Sequence, residues 1–295
     1  MSVRGITGSA QPVTFSAPTV TGGAVPVNVS CTQTSGASFP LGTTAVNCAA
    51  VDAQLRQATC SFKVTLTALA LGVKKFETVG DSLTEGENGA GPRPTFVDQP
   101  NSYPAKLQAL LNATFPGQAV TVINQGVGGE KVETTRDKLP GILASDRPEA
   151  ILLLTGYNNL TGPCGIGLST TFACGEATEE VAFGVRDCIR EIKESPVGVR
   201  YILVSTLTPP GPVGSKRIER DAIVEANGKI RKMVASEQAI LVDTYPLFVG
   251  HEAEYVSIDG LHLKPAGYQA IADAFFAVIK TTVPQTPLFS INGSR

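Results

Sequence analysis

The stretch FETVGDSLTEGENG, from Phe76 to Gly89, decides how the rest of the chain is interpreted. A mostly apolar approach ends at Gly80, and a polar, glycine-bearing segment follows Asp81 and Ser82. A serine in a turn is usually a capping residue, because its hydroxyl hydrogen-bonds nearby backbone. It can also be a nucleophile, but only if the chain supplies a base, an orienting group and donors for an oxyanion.

Beyond this stretch, short apolar segments alternate with helical patterns. The apolar segments are typical of buried parallel strands and comprise Phe76–Val79, Ala119–Ile123, Ala150–Leu154, Val199–Val204 and Ala239–Val242. Apolar residues recur at spacings of three and four in segments that begin at Ser102, Thr178, Ala222 and Pro265. The alternation predicts an α/β fold with a parallel sheet covered on both faces, and ligands at the carboxyl ends of its strands. Ser82 lies at one of those ends.

Residues 10 to about 68 have a different pattern, in which apolar and polar residues alternate with a period of two. This alternation, with glycine-rich and polar turns between short segments, predicts a small all-β sandwich. Cys31, Cys48 and Cys60 all fall on the predicted inward faces, so their spacing alone does not choose a pairing.

Composition excludes several classes of function. Charged residues make up 17% of the chain and the net charge is −2, with no basic stripe for nucleic acid. No apolar run is long enough to span a bilayer. Six cysteines without a C-x-x-C pair, and only two histidines, argue against a metal site.

The state of the cysteines indicates whether the protein works inside or outside the cell. Disulfides between several of them would indicate an exported protein, and buried free thiols are the alternative. The opening residues MSVRGITGSAQ lack the apolar core of a signal peptide, so they do not indicate export themselves.

The chain offers two histidines as a base for Ser82. His262, in SIDGLHLKPAGY, follows Asp259 by three residues, and the glycine between them allows a tight turn. Such a turn can aim both side chains to one side, so that the carboxylate fixes the imidazole tautomer. The alternative is a polar loop in which Asp259 caps the helix that begins at Pro265. His251 has no acidic neighbour in an obvious orienting position, and we expect it in a surface loop.

Two further segments could supply oxyanion donors. INQGVGGEKV, residues 123–132, has glycines whose backbone N–H groups can approach a developing negative charge; a flexible turn is the alternative. LLLTGYNNL, residues 152–160, presents Gly156 and Asn158. The Asn158 amide is a suitable donor, although asparagine is also a common turn residue.

Four segments in this order resemble the blocks of the SGNH (GDSL-type) hydrolases over about residues 75 to 281. They are Gly80-Asp81-Ser82-Leu83, the segment ending in Gly129, Gly156-Tyr157-Asn158, and Asp259-Gly260-Leu261-His262. The resemblance implies a three-layer, flavodoxin-like α/β/α domain. It makes Ser82 the nucleophile, His262 the base and Asp259 its orienter. Ser82, Gly129 and Asn158 would form the oxyanion hole.

Two details bear on this resemblance. The sequence departs from the family at Asn159, where many members have aspartate. The G-x-S-x-G motif of the α/β-hydrolases is absent around Ser82, which argues against that fold.

The N-terminal segment resembles the hyalin-repeat (HYR) module, an immunoglobulin-like extracellular domain. The residues that carry this resemblance are SGASFPLGTTAVNC, AAVDAQLRQATCSF and KVTL. The opening strand with its own cysteine is absent. The resemblance therefore implies a Cys31–Cys48 disulfide across the two sheets and leaves Cys60 without a partner.

Together these resemblances predict an immunoglobulin-like module at residues 1–70, a join in TALALGVKK (Thr67 to Lys75), and an SGNH hydrolase domain at residues 71–295. The expected function is a secreted or cell-surface serine esterase, without metal or organic cofactor. Its expected substrates are small or glycan-linked esters with short acyl chains, with acetyl groups on a glycan as one candidate. The alternative is a non-catalytic adhesive or glycan-binding protein that has kept the fold.

An unusually long loop, LTGPCGIGLSTTFACGEATEE, follows Asn158. We expect it to form one wall of the site and to be fastened by a Cys164–Cys174 disulfide. Cys188 lies on the apolar face of the next helix and is expected to be a buried free thiol. Spacing also allows a Cys174–Cys188 disulfide.

Overall fold

The computed structural model describes residues 10–66, 70–89, 96–167, 171–286 and 289–293. The strands, in chain order, are β1 (Gln11–Pro12), β2 (Asn28–Cys31), β3 (Ser38–Phe39), β4 (Gly42–Val51), β5 (Gln57–Leu66), β6 (Ala70–Leu71), β7 (Lys75–Gly80), β8 (Glu87–Asn88), β9 (Phe96–Val97), β10 (Thr121–Gly126), β11 (Ala150–Leu154), β12 (Tyr201–Ser205), β13 (Ile240–Val242), β14 (Gln285–Thr286) and β15 (Phe289–Gly293). The helices are α1 (Ser82–Glu85), α2 (Tyr103–Thr114), α3 (Val132–Asp146), α4 (Tyr157–Leu160), α5 (Thr171–Glu194), α6 (Arg220–Ser236), α7 (Tyr245–Phe248), α8 (Glu252–Tyr255) and α9 (Pro265–Thr282).

The chain divides into two compact units. The smaller unit contains an antiparallel four-stranded sheet in the order β15-β5-β4-β2 and the two-stranded sheets β1-β3 and β14-β6. Its apolar core consists of Val13, Phe39, Val46, Cys48 and Val64. The sequence did not predict β15, which lies near the C-terminus and pairs along β5. The predicted join falls partly on residues 67–69, outside the described residues.

Cysteines 31, 48 and 60 lie side by side on neighbouring strands of this sheet. Cys31 and Cys48 form the expected disulfide. However, they are register partners on β2 and β4, so the bond lies within one sheet and does not cross between two sheets. Cys60, opposite Cys48 on β5, is an exposed free thiol, contrary to the inward orientation expected. The reason is that the core covers only the end of β5 that carries Val64 and Leu66.

The larger unit contains a parallel five-stranded sheet in the order β10-β7-β11-β12-β13. Numbered within this sheet, the order is 2-1-3-4-5, which is the flavodoxin-like order. All five residues of β11 are buried, as expected for a strand covered on both faces. The predicted parallel α/β fold is therefore confirmed. Its topological switch point lies between β7 and β11, the first and third strands of this sheet.

Helices α2, α5, α6 and α9 correspond to the four predicted helical patterns. The four predicted helical patterns do not include helix α3, whose sequence VETTRDKLPGILASD contains Pro140, a residue without the backbone N–H that a helix interior uses. Tertiary packing of Leu139, Ile142 and Leu143, all buried, compensates for that lost hydrogen bond. No helix in the described part of the chain is both long and apolar enough to cross a membrane.

The predicted loop after Asn158 is shorter than expected. Helix α5 begins at Thr171, so Cys174 lies in its first turn. The expected Cys164–Cys174 disulfide is confirmed, and it joins the loop to the start of this helix. Cys188 is the expected buried free thiol, and burial raises its pKa to about 12. Residues 168–170 of the loop lie outside the described residues.

Strand β7 carries a fully buried carboxyl group, Glu77. Gln125 Nε2 donates hydrogen bonds at 2.9 Å to both Glu77 Oε1 and Asp146 Oδ2. Burial and the nearby Asp146 raise the pKa of Glu77 to about 8. The folded protein therefore keeps this proton at pH values where the unfolded chain has released it.

The raised pKa of Glu77 makes the free energy of unfolding depend on pH. Because the folded pKa of Glu77 is raised, its favourable contribution is complete below the ordinary value of 4.5 and is lost as pH rises towards about 8. We expect the free energy of unfolding to fall by a few kcal/mol over this window. Glu77→Gln should remove most of that fall, measured by urea unfolding at pH 5 and pH 8.5. Equal pH dependence in both proteins would contradict the prediction, and the exposed Glu254→Gln serves as the control.

Candidate active site

Ser82 is held at the start of a short helix at the carboxyl end of β7. Asp81 caps helix α1 by accepting a hydrogen bond from the Leu83 N–H at 3.1 Å. Gly86, at φ +103°, ends the helix after one turn, and its N–H donates to the Ser82 carbonyl at 2.9 Å. Burial raises the pKa of Asp81 to about 7, although its hydrogen bond from the Leu83 N–H opposes this. Ser82 is thus fixed in position on a tight turn.

Ser82, His262 and Asp259 form one chain of hydrogen bonds. Ser82 Oγ lies 3.0 Å from His262 Nε2. On the other side of the ring, Nδ1 lies 2.6 Å from Asp259 Oδ2. His262 is only 2% exposed. A serine hydroxyl, an imidazole and a carboxylate in this order can pass the serine proton to the imidazole and stabilise the resulting cation.

The Asp259 segment is arranged by its own backbone. Asp259 Oδ1 accepts hydrogen bonds from the N–H groups of Leu261 and His262, both at 3.1 Å. Gly260, at φ +86°, makes the left-handed turn that this requires. A β-carbon on Gly89 would overlap the Asp259 carboxylate, so the glycine leaves room for it.

The groups around the His262 ring favour an ion pair between the Asp259 carboxylate and the His262 imidazolium. Burial by itself would raise the pKa of Asp259, but the hydrogen bond and charge of His262 lower it below its usual value. Burial likewise opposes protonation of His262, but the hydrogen bonds to Asp259 and to Glu87 raise its pKa above the usual value. Lys216 Nζ lies 3.8 Å from Asp259 Oδ2 and weakly opposes protonation of the ring.

Gly129 lies in the loop after β10, and Asn158 lies in the short helix α4, which follows β11. Gly129 has φ +80°, and the preceding Gly128 donates its N–H to Glu85 Oε2 at 2.6 Å. Asn158 Nδ2 donates to the Glu130 carbonyl at 2.9 Å. Because an amide group has two N–H donors, a second one is left on Asn158. The bond to Glu130 therefore joins helix α4 to the loop that follows β10.

Asn159, where the family pattern often has aspartate, uses both ends of its amide. Its Oδ1 accepts from the Val132 N–H at 3.0 Å, and its Nδ2 donates to the Glu133 carboxylate at 3.1 Å. An aspartate could make the first contact but not the second, since an ionised carboxylate only accepts. The asparagine thus ties helix α4 to the start of helix α3.

The sequence analysis did not single out Glu87, whose Oε2 lies 3.0 Å from His262 Nε2. The sequence signal for Glu87 is the segment TEGENG, in which Glu85 and Glu87 follow Ser82 by three and five positions. His251 lies elsewhere, exposed and 3.3 Å from Glu254.

The larger unit has a flavodoxin-like parallel sheet, and the Ser82–His262–Asp259 hydrogen-bond chain begins at the carboxyl end of its strand β7. Residues 78–270, more than half of the chain, match the GDSL-like Lipase/Acylhydrolase family, and the chain belongs to this family. Residues 6–66 match the HYR domain.

Named relatives agree with this assignment. The chain is 26% identical over 212 residues to the spore germination lipase LipC of Bacillus licheniformis, covering 68% of this chain and 93% of the relative. It is 23% identical over 224 residues to the acetylxylan esterase of Geobacillus stearothermophilus, covering 70% and 94%. The protein is a carboxylic ester hydrolase, and the non-catalytic alternative is not retained.

Solved structures show the same fold. LAE5, a hydrolase from the metagenome of Lake Arreo in Spain, superposes with a TM-score of 0.56 at 22% identity, covering 72% of this chain and 96% of that one. The acetylxylan esterase Axe2 of Geobacillus stearothermophilus gives a TM-score of 0.54 at 21% identity, covering 71% and 95%.

Proposed function

We propose that the protein hydrolyses esters with short acyl chains by a serine mechanism in which Ser82 is the nucleophile, His262 the base and Asp259 its orienter. The observation that carries this proposal is the hydrogen-bond chain from Ser82 Oγ through His262, at 3.0 Å, to Asp259, at 2.6 Å. A serine hydroxyl is a weak nucleophile at neutral pH, and this chain supplies the base that it needs.

In the first half of the reaction, Ser82 Oγ attacks the ester carbonyl while His262 Nε2 takes its proton. The negative charge that forms on the carbonyl oxygen is stabilised by the N–H groups of Ser82 and Gly129 and by the side chain of Asn158. The C–O bond to the alcohol then breaks, and the leaving oxygen takes the proton from Nε2.

In the second half, a water molecule attacks the acyl-enzyme while Nε2 takes a proton from it. The second tetrahedral species collapses, the acid leaves, and Nε2 returns a proton to Ser82 Oγ. Throughout, Asp259 accepts the Nδ1 hydrogen and stabilises the imidazolium without becoming protonated itself.

Two observations support short acyl groups, with acetyl groups on a glycan as the candidate substrate. One named relative is an acetylxylan esterase. The N-terminal HYR match and the two disulfides fit a protein that works outside the cell, where glycans are accessible. In this proposal residues 1–70 form most of the accessory module and the catalytic domain lies within residues 71–295, whose strands β14 and β15 belong to the smaller unit.

Substitution of the hydrogen-bonded pair tests the mechanism. Because Ser82 and His262 act as a unit, Ser82→Ala, His262→Ala and the double variant should each lose kcat by about a thousandfold or more, without additivity. The measurement is turnover of p-nitrophenyl acetate by folded protein, checked by circular dichroism. His251→Ala is the matched histidine control and should retain near-normal turnover. Near-normal turnover by Ser82→Ala would refute the mechanism.

Asn158 tests the oxyanion site. Asn158→Ala should lower kcat by about a hundredfold and leave KM nearly unchanged, because its free donor acts mainly on the transition-state oxygen. Steady-state kinetics on p-nitrophenyl acetate separate the two constants. A change confined to KM would place Asn158 in substrate binding instead.

The length of the acyl chain is tested by comparing p-nitrophenyl acetate with p-nitrophenyl palmitate. We expect kcat/KM to favour the acetate by more than about tenfold, or ~1.4 kcal/mol in the transition state. Ser82→Ala measured in parallel corrects for uncatalysed hydrolysis. Preference for the palmitate would refute the short-chain part of the proposal and leave the serine mechanism standing.

A further inference from the structure

His262 Nε2 has two neighbours at the same distance, and only one of them belongs to the proposed mechanism. Ser82 Oγ and Glu87 Oε2 each lie 3.0 Å from this nitrogen. With Asp259 on Nδ1, the ring therefore lies between two carboxylates. The side chain of Glu87 is only 19% exposed.

The position of Glu87 is fixed by the fold. Its backbone lies in β8, which pairs with β9, and its carbonyl accepts a hydrogen bond from the Tyr268 hydroxyl. The left-handed turn at Gly86 ends helix α1 immediately before Glu87. A β-carbon on Gly128 would overlap Glu87 Oε1, so the carboxylate also lies against the segment that leads to Gly129.

The chemistry of the contact depends on the protonation state of the ring. An ionised carboxylate only accepts hydrogen bonds, so Glu87 attracts Nε2 only when that nitrogen carries a proton. A neutral ring that donates Nδ1–H to Asp259 has its lone pair on Nε2, and this lone pair is what must take the serine proton. The contact with Glu87 therefore stabilises the imidazolium, which is the form that cannot activate Ser82.

We propose that Glu87 is a positioning residue that holds His262 in its protonated form and so sets the lower pH limit of activity. Its carboxylate must leave Nε2 before Ser82 is activated, and a bound substrate would displace it. The effect of Glu87 on the lower pH limit of activity rests on the proposed function, whereas its effect on the protonation of His262 does not.

Among the described residues, four titratable or charged groups act on the ring. Asp259 favours the protonated form through Nδ1, and the buried Asp81 carboxyl, when ionised, favours it electrostatically. Lys216 opposes protonation, and Glu87 favours it. Only the last of these four is changed in the variant below, so a change in the titration can be attributed to it.

The first test observes the ring directly. The chain has two histidines, so protein labelled with carbon-13 histidine gives two ring titrations, and His251→Gln assigns them. We expect Glu87→Gln to move the His262 midpoint to lower pH. Glu254→Gln, which removes the carboxylate 3.3 Å from His251, is the matched control and should leave the His262 midpoint unchanged. An unchanged His262 midpoint in Glu87→Gln would overturn the proposal, and Glu87→Ala should repeat the shift if the amide variant fails to fold.

The second test measures kcat/KM for p-nitrophenyl acetate, which carries no titrating group, against pH. We expect Glu87→Gln to raise kcat/KM severalfold on the acid limb and to leave the alkaline plateau nearly unchanged. A uniform loss at every pH would assign Glu87 to the chemistry or to packing and overturn the proposal, as would a ring shift without movement of the acid limb. If Ser82→Ala remained active, the proposed function would fail, while the ring titration would still decide the role of Glu87.

Discussion

The parallel register of β10, β7 and β11 is the constraint on which the site depends. Gly80, the last residue of β7, lies beside Gly126 on one side and Leu154 on the other, so three strands end at one level. A β-carbon on Gly80 would overlap the Leu154 carbonyl oxygen, which also accepts a hydrogen bond from Thr84. This close approach seats helix α1 on the strand ends, and with it Ser82.

The proposed triad consists of two parts that are rigid for different reasons. Ser82 is positioned by the sheet, through β7 and the one-turn helix α1. Asp259 and His262 are positioned by a local turn in which one carboxylate oxygen accepts two backbone N–H groups and the other meets the ring. The two parts meet at the Ser82–His262 hydrogen bond, and the absence of a side chain at Gly89 lets the Asp259 carboxylate approach the Ser82 side.

This division explains how much could be predicted from the sequence. The parallel sheet and the position of Ser82 follow from apolar runs and what comes after them, and the Asp259–His262 pair follows from spacing within one turn. The features that were missed depend on contacts between distant segments. Helix α3 forms despite Pro140 because its apolar residues are buried, β15 pairs with a strand more than two hundred residues earlier, and Cys60 is exposed because the core covers only part of β5.

The contact of Glu87 with His262 is another feature that the sequence analysis missed. Comparison of Glu87 with Asp259 shows that the effect of a carboxylate on the base depends on which ring nitrogen it contacts. Both carboxylates are within hydrogen-bond distance of His262, and both favour its protonated form. Asp259 binds the nitrogen that keeps its hydrogen throughout the proposed cycle, so the contact orients the ring in every state. Glu87 lies against the nitrogen that must gain and then lose a proton in each half-reaction of the proposed cycle. A carboxylate on Nδ1 therefore supports the base. A carboxylate on Nε2 stabilises a proton there, and Nε2 must lose that proton before it can accept the one from Ser82.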